Sequence, residues 1–316
     1  MPPSLRALLA MTLPALTVSH LAAAPFDVAR LGDQPVVMTR GFESVSYGQL
    51  HFRHARPASG KITGRPVLCL HQTPNSSQVF IEFMAELAQD REVYALDTPG
   101  LGESDLPAQA PEIADYAGAV SEFLTARRLP RVDVVGYHTG ASIAAELSRH
   151  EPEQVHRLVL VGLALLNDEE RQAFFDQPWP RPQAADGSHL KEEWQRSQSW
   201  RGAGQSDASV TRTFLQKINA GNTGWWGARA VMRHNLGKTL TQTKVPFAVL
   251  NPNDDLHNVT PRVRDLRPDV AVVPIAGYGF GLFEVIPGPL AAFSRNYFDE
   301  GAVAPGVLHE GENDDP

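Results

Sequence analysis

The chain holds one cysteine in 316 residues, Cys69, so neither a disulfide framework nor a cysteine zinc site can be built from it. That cysteine lies inside Pro66-Val67-Leu68-Cys69-Leu70, where a thiol reads as a small buried hydrophobe rather than a nucleophile. Basic charge is scarce as well. The 28 Lys and Arg face 36 Asp and Glu, a formal charge of −8, and no basic cluster offsets it. Nucleic acid and anionic membrane both demand a basic face, so neither is expected as a partner. Beyond the first 25 residues no stretch approaches the ~20 apolar residues of a membrane span, and no segment repeats. What remains is an ordinary globular balance, 42% hydrophobic and 20% charged, able to bury a sizeable core. The length suits one large α/β domain with an insertion, or two small domains.

Residues 1–25 stand apart. Arg6 precedes the mostly apolar stretch Ala7 to Val18, and Ser19-His20-Leu21-Ala22-Ala23-Ala24-Pro25 supplies small residues of the kind a signal peptidase needs. The pattern predicts a signal peptide and a periplasmic or secreted mature chain. An uncleaved N-terminal extension, with the protein in the cytoplasm, is the alternative. A single positive charge and Pro25 favour the latter.

The chain then alternates. Val36 to Thr39 and Leu50 to Ala55 read as strands, with Tyr47-Gly48 as the turn before the second. Val67 to Leu70, Val93 to Leu96, Val132 to Val135 and Leu158 to Val161 are short apolar runs, as expected of strands buried on both faces of a parallel sheet. Between them, Phe80 to Leu87, Ile113 to Leu124 and Ala141 to Arg149 carry helical spacing. The alternation predicts an α/β fold, a mostly parallel central sheet with helices on both faces. It fills 36–164, breaks over 165–243, and resumes over 244–300 with Phe247 to Leu250, Val270 to Val273 and a closing helix from Leu290 to Phe298. The break is polar and holds all five tryptophans, which predicts an inserted helical lid. Residues 301–316 form an acidic tail with no apolar pattern, expected to be disordered.

Four landmarks fall in order along this alternation. His71-Gln72-Thr73-Pro74 follows the third predicted strand. Asp97-Thr98-Pro99-Gly100-Leu101-Gly102-Glu103-Ser104 forms a glycine-rich turn after the next. Gly136-Tyr137-His138-Thr139-Gly140 lies between a strand and a helix, and Pro252-Asn253-Asp254-Asp255 follows a late strand. Together they resemble the α/β-hydrolase superfamily, whose nucleophile elbow reads Gly-x-Ser-x-Gly. The resemblance covers about residues 36 to 300 and implies that superfamily's fold with an inserted lid. Two departures matter. The elbow tip is His138 where the family has its serine, and Phe280 in Gly277-Tyr278-Gly279-Phe280 stands where the family has its histidine. The serine-esterase mechanism cannot run as ordinarily written.

A histidine at the elbow has its own chemistry. The adjoining helix N-terminus would depress its pKa, leaving a neutral imidazole able to act as a general base. His138 and Asp255 are the predicted catalytic dyad, with Asp254 as the register alternative and His257 as a possible stand-in base. The backbone N–H groups of Gln72 and Thr139 are the predicted oxyanion hole. His71, Tyr137, Trp225, Trp226 and Phe280 are the predicted pocket. Ser76 and Ser77 read as helix starters, and Asp97 as the stabiliser of its own turn. His71 and His138 without a placed carboxylate make a poor ligand set, so no metal is expected and no cofactor is implied.

These residues suggest an enzyme acting on a small, largely apolar carbonyl compound such as an ester, lactone or diketone. Activation of water would give hydrolysis. Deprotonation of the substrate would give lyase, isomerase or cofactor-free oxygenase chemistry. The alternative is a non-catalytic small-molecule binder on the hydrolase scaffold, favoured by the loss of both serine and loop histidine.

Overall fold

The computed structural model describes residues 26–27, 36–181 and 183–303, so the leader and nearly all of the acidic tail lie outside the described residues. Nine strands form one sheet: β1 (Phe26–Asp27), β2 (Val36–Val45), β3 (Gly48–Pro57), β4 (Val67–Leu70), β5 (Val93–Leu96), β6 (Val132–Tyr137), β7 (Val155–Val161), β8 (Phe247–Asn251) and β9 (Val272–Pro274). Their order is β1-β2-β3-β5-β4-β6-β7-β8-β9. The first three strands and the β3–β5 pair run antiparallel, and every later pair is parallel.

The apolar runs are buried on both faces because each face carries a helical layer. Side chains alternate along each strand, so Leu68 and Leu70 of β4 enter one core while Val67 and Cys69 enter the other. The first core is closed by α2 (Ile113–Ala126) and α3 (Thr139–His150) through Tyr116, Val120, Phe123 and Ile143. The second is closed by α1 (Ile81–Leu87) through Phe83 and by the C-terminal helix Pro287–Glu300 through Leu290 and Phe298. Cys69 is fully buried and burial pushes its thiol up, so no thiolate forms there.

Between β7 and β8 run five helices, α4 (Asp168–Phe175), α5 (Ser188–Ser199), α6 (Asp207–Ala220), α7 (Trp226–Arg233) and α8 (Leu236–Gln242). They do not share one environment. Helix α4 has no buried residue and α5 buries only Ser197, whereas Ala230 and Val231 of α7 and Leu236 and Leu240 of α8 join the core against α3. Helices α4 and α5 are thus the least buried, α6 buries Ser209 and Val210 outside both cores, and the predicted boundary at residue 243 takes in two helices that belong to the core. Among the described residues no helix is long and apolar enough to cross a membrane.

Candidate active site

Strand β6 ends at Tyr137 and α3 begins at Thr139, so His138 is the whole turn between them. Its backbone sits at φ 49°, ψ −108°, a strained left-handed conformation for a residue with a Cβ. The strain persists because both flanking elements are buried and fixed. At Gly140, the second residue of α3, any Cβ would strike the carbonyl of Leu70 at the end of β4, so the helix can approach the sheet only with glycine there.

The imidazole is held by a buried carboxylate. Nε2 lies 2.8 Å from Oδ2 of Asp254, whose side chain is wholly inaccessible. The other oxygen of Asp254 accepts from the N–H of Leu256 at 3.0 Å. Asp255, the expected partner, does not make this bond. Its carboxylate is 55% exposed and stands 4.0 Å from Nδ1, beyond hydrogen-bond length. The reason is the turn itself: adjacent side chains leave it in different directions, and capping of Leu256 draws Asp254 inward. Along the same Cδ2–Nε2 edge of the ring, a Cβ on Gly162 would strike Cδ2 and lie 2.6 Å from Nε2, so glycine at that position makes room for the imidazole.

The electrostatics also reverse an expectation. Burial alone would lower the pKa of His138, but the Asp254 carboxylate, with a smaller contribution from Asp255, outweighs it and the net shift is upward. A charged group at hydrogen-bond distance dominates the partial charge of a helix end. Asp255, half open to water at the cavity wall, is itself raised by partial desolvation there and by the Asp254 charge, with the imidazole opposing. Tyr137 lies beneath the ring, 4.3 Å away between centroids, and burial together with Asp254 keeps its phenol protonated.

A cavity of about 700 Å³ opens over the elbow. Gln72, Tyr137, Thr139, Trp225 and Phe280 line it, together with His138 and Asp255. Phe280 presents an edge to the His138 ring at 5.8 Å and stacks on Trp200 at 5.5 Å, so an apolar ring occupies the space beside the imidazole. Thr139 opens α3, and its N–H is one of the helix's unclaimed first donors.

Two expected pocket residues lie elsewhere. His71 is buried away from the cavity: its Nδ1 donates to the Gln72 carbonyl and its Nε2 accepts from the N–H of Thr98 at 3.0 Å. Burial lowers its pKa, so it stays neutral and clamps the loop after β4 to the turn after β5. Trp226 does not line the cavity, because a residue beside Trp225 on a helical turn points about 100° away. His257 bonds its own loop at the Pro252 carbonyl and does not reach the ring. Ser76 caps the short 3₁₀ turn Ser77–Phe80. Asp97 is buried and accepts from the N–H groups of Ser77 and Glu103 while pairing with His51 at 2.8 Å.

His138, Asp254 and Asp255 bring ligand-type atoms within 4.8 Å of one another, the one such group of histidine and carboxylates among the described residues. A cation bound there would compete with the proton shared by Nε2 and Asp254. Sequence reasoning missed Gly162 and put the ring's partner at Asp255, with Asp254, which makes the bond, as the alternative. Gly162 had a signal, a glycine straight after the apolar run ending at Val161, while nothing in Asn253-Asp254-Asp255 distinguishes the two carboxylates.

An α/β-hydrolase-fold family profile matches residues 65–274, and the chain belongs to that family. Over 105 residues it is 34% identical to a 2-hydroxymuconate semialdehyde hydrolase of Pseudomonas sp. (strain CF600), covering 32% of this chain and 37% of that protein. It is 32% identical over 100 residues to an uncharacterized protein of Mycobacterium tuberculosis, 32% of this chain and 29% of that protein. The matches thus span about a third of these relatives' lengths. Among solved structures, Cfl2 from Burkholderia cenocepacia superposes with a TM-score of 0.66 at 20% identity, covering 83% of this chain and 96% of that one. E-2-(acetamidomethylene)succinate hydrolase gives 0.64 at 18% identity, covering 83% and 98%. These likenesses are of fold.

Proposed function

We propose that this chain is an enzyme acting on a small carbonyl compound with an apolar body, such as an ester, lactone or diketone. His138 is its proton-transfer group and Asp254 holds the ring. The observation that carries this is the two-sided imidazole: Nε2 engages a buried carboxylate while Nδ1, 4.0 Å from the nearest oxygen of Asp255, is uncommitted beside the cavity. In the neutral ring the Asp254 bond places the proton on Nε2, which leaves the Nδ1 lone pair as the base.

That base serves two reactions. Taking a proton from water generates the nucleophile that adds to the carbonyl. The C–O bond to the leaving group then breaks, and the proton returns from Nδ1 to that group. Taking a proton from a carbon beside the carbonyl gives an enolate instead. In both cases negative charge gathers on the carbonyl oxygen, where the N–H groups of Thr139 and Gln72 would stabilise it. A relative named for hydrolysis of a semialdehyde supports a carbonyl substrate.

The test is a panel of aryl esters, lactones and β-diketones assayed with the wild type and His138→Ala. The variant should lose about 10²–10⁴-fold in kcat/KM, the range for a general base. Turnover unchanged in His138→Ala defeats the proposal. Binding of these compounds with no turnover in the wild type supports the alternative, a small-molecule binder, which the replacement of the loop histidine by Phe280 favours.

A further inference from the structure

The cavity has a second chemical end. Arg181, Arg196 and Lys217 all line it, and all three meet one carboxylate, that of Glu193. Arg196 hydrogen-bonds Glu193, while Arg181 and Lys217 stand 3.9 and 3.5 Å from it. Three cations share a single close anion, which leaves two positive charges in excess. Glu192 lines the same region but is exposed to water, and Glu284 is engaged by Arg212 and by the hydroxyl of Ser209. Neither neutralises the cluster.

Lys217 is the most enclosed of the three, with only 10% of its side chain exposed. Its ammonium has three donors, and its polar partners are distant, Ser197 at 3.3 Å and Glu193 at 3.5 Å. Burial pushes the Lys217 ammonium below its ordinary range, with Glu193 only partly opposing. A buried cation whose polar contacts are all long is stabilised when a further anion closes on it.

The cationic end joins the reactive end through one aromatic wall. The Lys217 ammonium lies over the Trp200 ring at 4.9 Å, Trp200 stacks on Phe280, and Phe280 meets His138. The Arg181 guanidinium covers the Trp179 ring, which stacks on Trp225 at 6.2 Å. We propose that Arg181, Arg196 and Lys217 form a subsite for a carboxylate carried at the far end of the substrate from its reacting carbonyl. The ligand class is thus an apolar or aromatic acid, its body on the tryptophan wall and its carbonyl at His138. This rests on the reading of His138 as the reactive end of the same cavity.

Binding can be read without turnover. Tryptophan fluorescence or calorimetry would follow 4-phenylbutyrate and its neutral amide on the full chain of the wild type, His138→Ala and Lys217→Met. The acid should bind about 10-fold or more tightly than the amide in the wild type and in His138→Ala. In Lys217→Met the preference should vanish while amide binding persists, which also reports that the variant is folded. Equal affinities in the wild type, no acid binding up to about 10 mM, or a preference retained in Lys217→Met would each overturn the subsite. An acid preference alongside undiminished turnover in His138→Ala would instead remove the reading of the reactive end and leave the subsite standing.

Discussion

At the scale of single residues, the site depends on what surrounds one ring. The Nε2 edge of His138 both bonds the Asp254 carboxylate and rests against the bare Cα of Gly162, so the ring has little freedom to move. Gly162→Ala puts a methyl 2.6 Å from Nε2, at a φ of 65° that already disfavours any side chain. The expected outcome is loss of the Asp254 bond and a fall of about 10²-fold in kcat/KM, since small misplacement of a catalytic group has that effect. Steady-state kinetics on any substrate found in the panel measures it, and wild-type kcat/KM in Gly162→Ala contradicts this placement of the ring. Residue-scale features were also the hardest to read from sequence. Asp254 and Asp255 are chemically identical neighbours, and only the capping of Leu256 separates them. The pKa direction of His138 was misjudged because the helix end is visible in sequence whereas a carboxylate 116 positions away is not.

At the scale of elements, the landmark loops work as one assembly. The turn after β5 offers the Asp97 carboxylate to the N–H groups of Ser77 and Glu103 and to His51 of β3, and His71 bonds the N–H of Thr98. Burial would raise the Asp97 pKa, but these partners outweigh it and hold it at about 2. A depressed carboxylate stabilises the fold above its unfolded value and loses that contribution as pH falls through its folded value. The difference corresponds to about 2 kcal/mol. Urea unfolding should therefore show Asp97→Asn less stable than the wild type by about that amount at pH 7, with the gap closing as pH drops below about 4 towards 2. A gap independent of pH contradicts this role. The elements themselves were largely legible. The bounds of β4 and β5 match their apolar runs, because a strand buried on both faces must be apolar throughout. The hairpin β2–β3 extends beyond its predicted ends, since its outer half is only partly buried and carries no such run.

At the scale of the whole molecule, topology decides what the elbow can do. The switch in strand order around β4 to β6 and the helices between β7 and β8 border one cavity, whose lining includes both His138 and the cationic cluster. Four ordered landmarks were enough to read this architecture, because turn, strand and helix each need particular residues at fixed spacing. The cationic end was not legible, as its members come from three separate segments of a polar interval. Within this frame the central claim is that the elbow histidine is a base whose proton rests on the Asp254 side. The most direct measurement is a ¹⁵N-histidine NMR titration of the wild type, with the His138 signals assigned by their loss in His138→Gln. The account predicts an inflection above the ordinary value of about 6.5, the Nε2–H tautomer above it, and a shift of the inflection to lower pH in Asp254→Asn. An inflection below about 6.5, or an Nδ1–H tautomer, would contradict it.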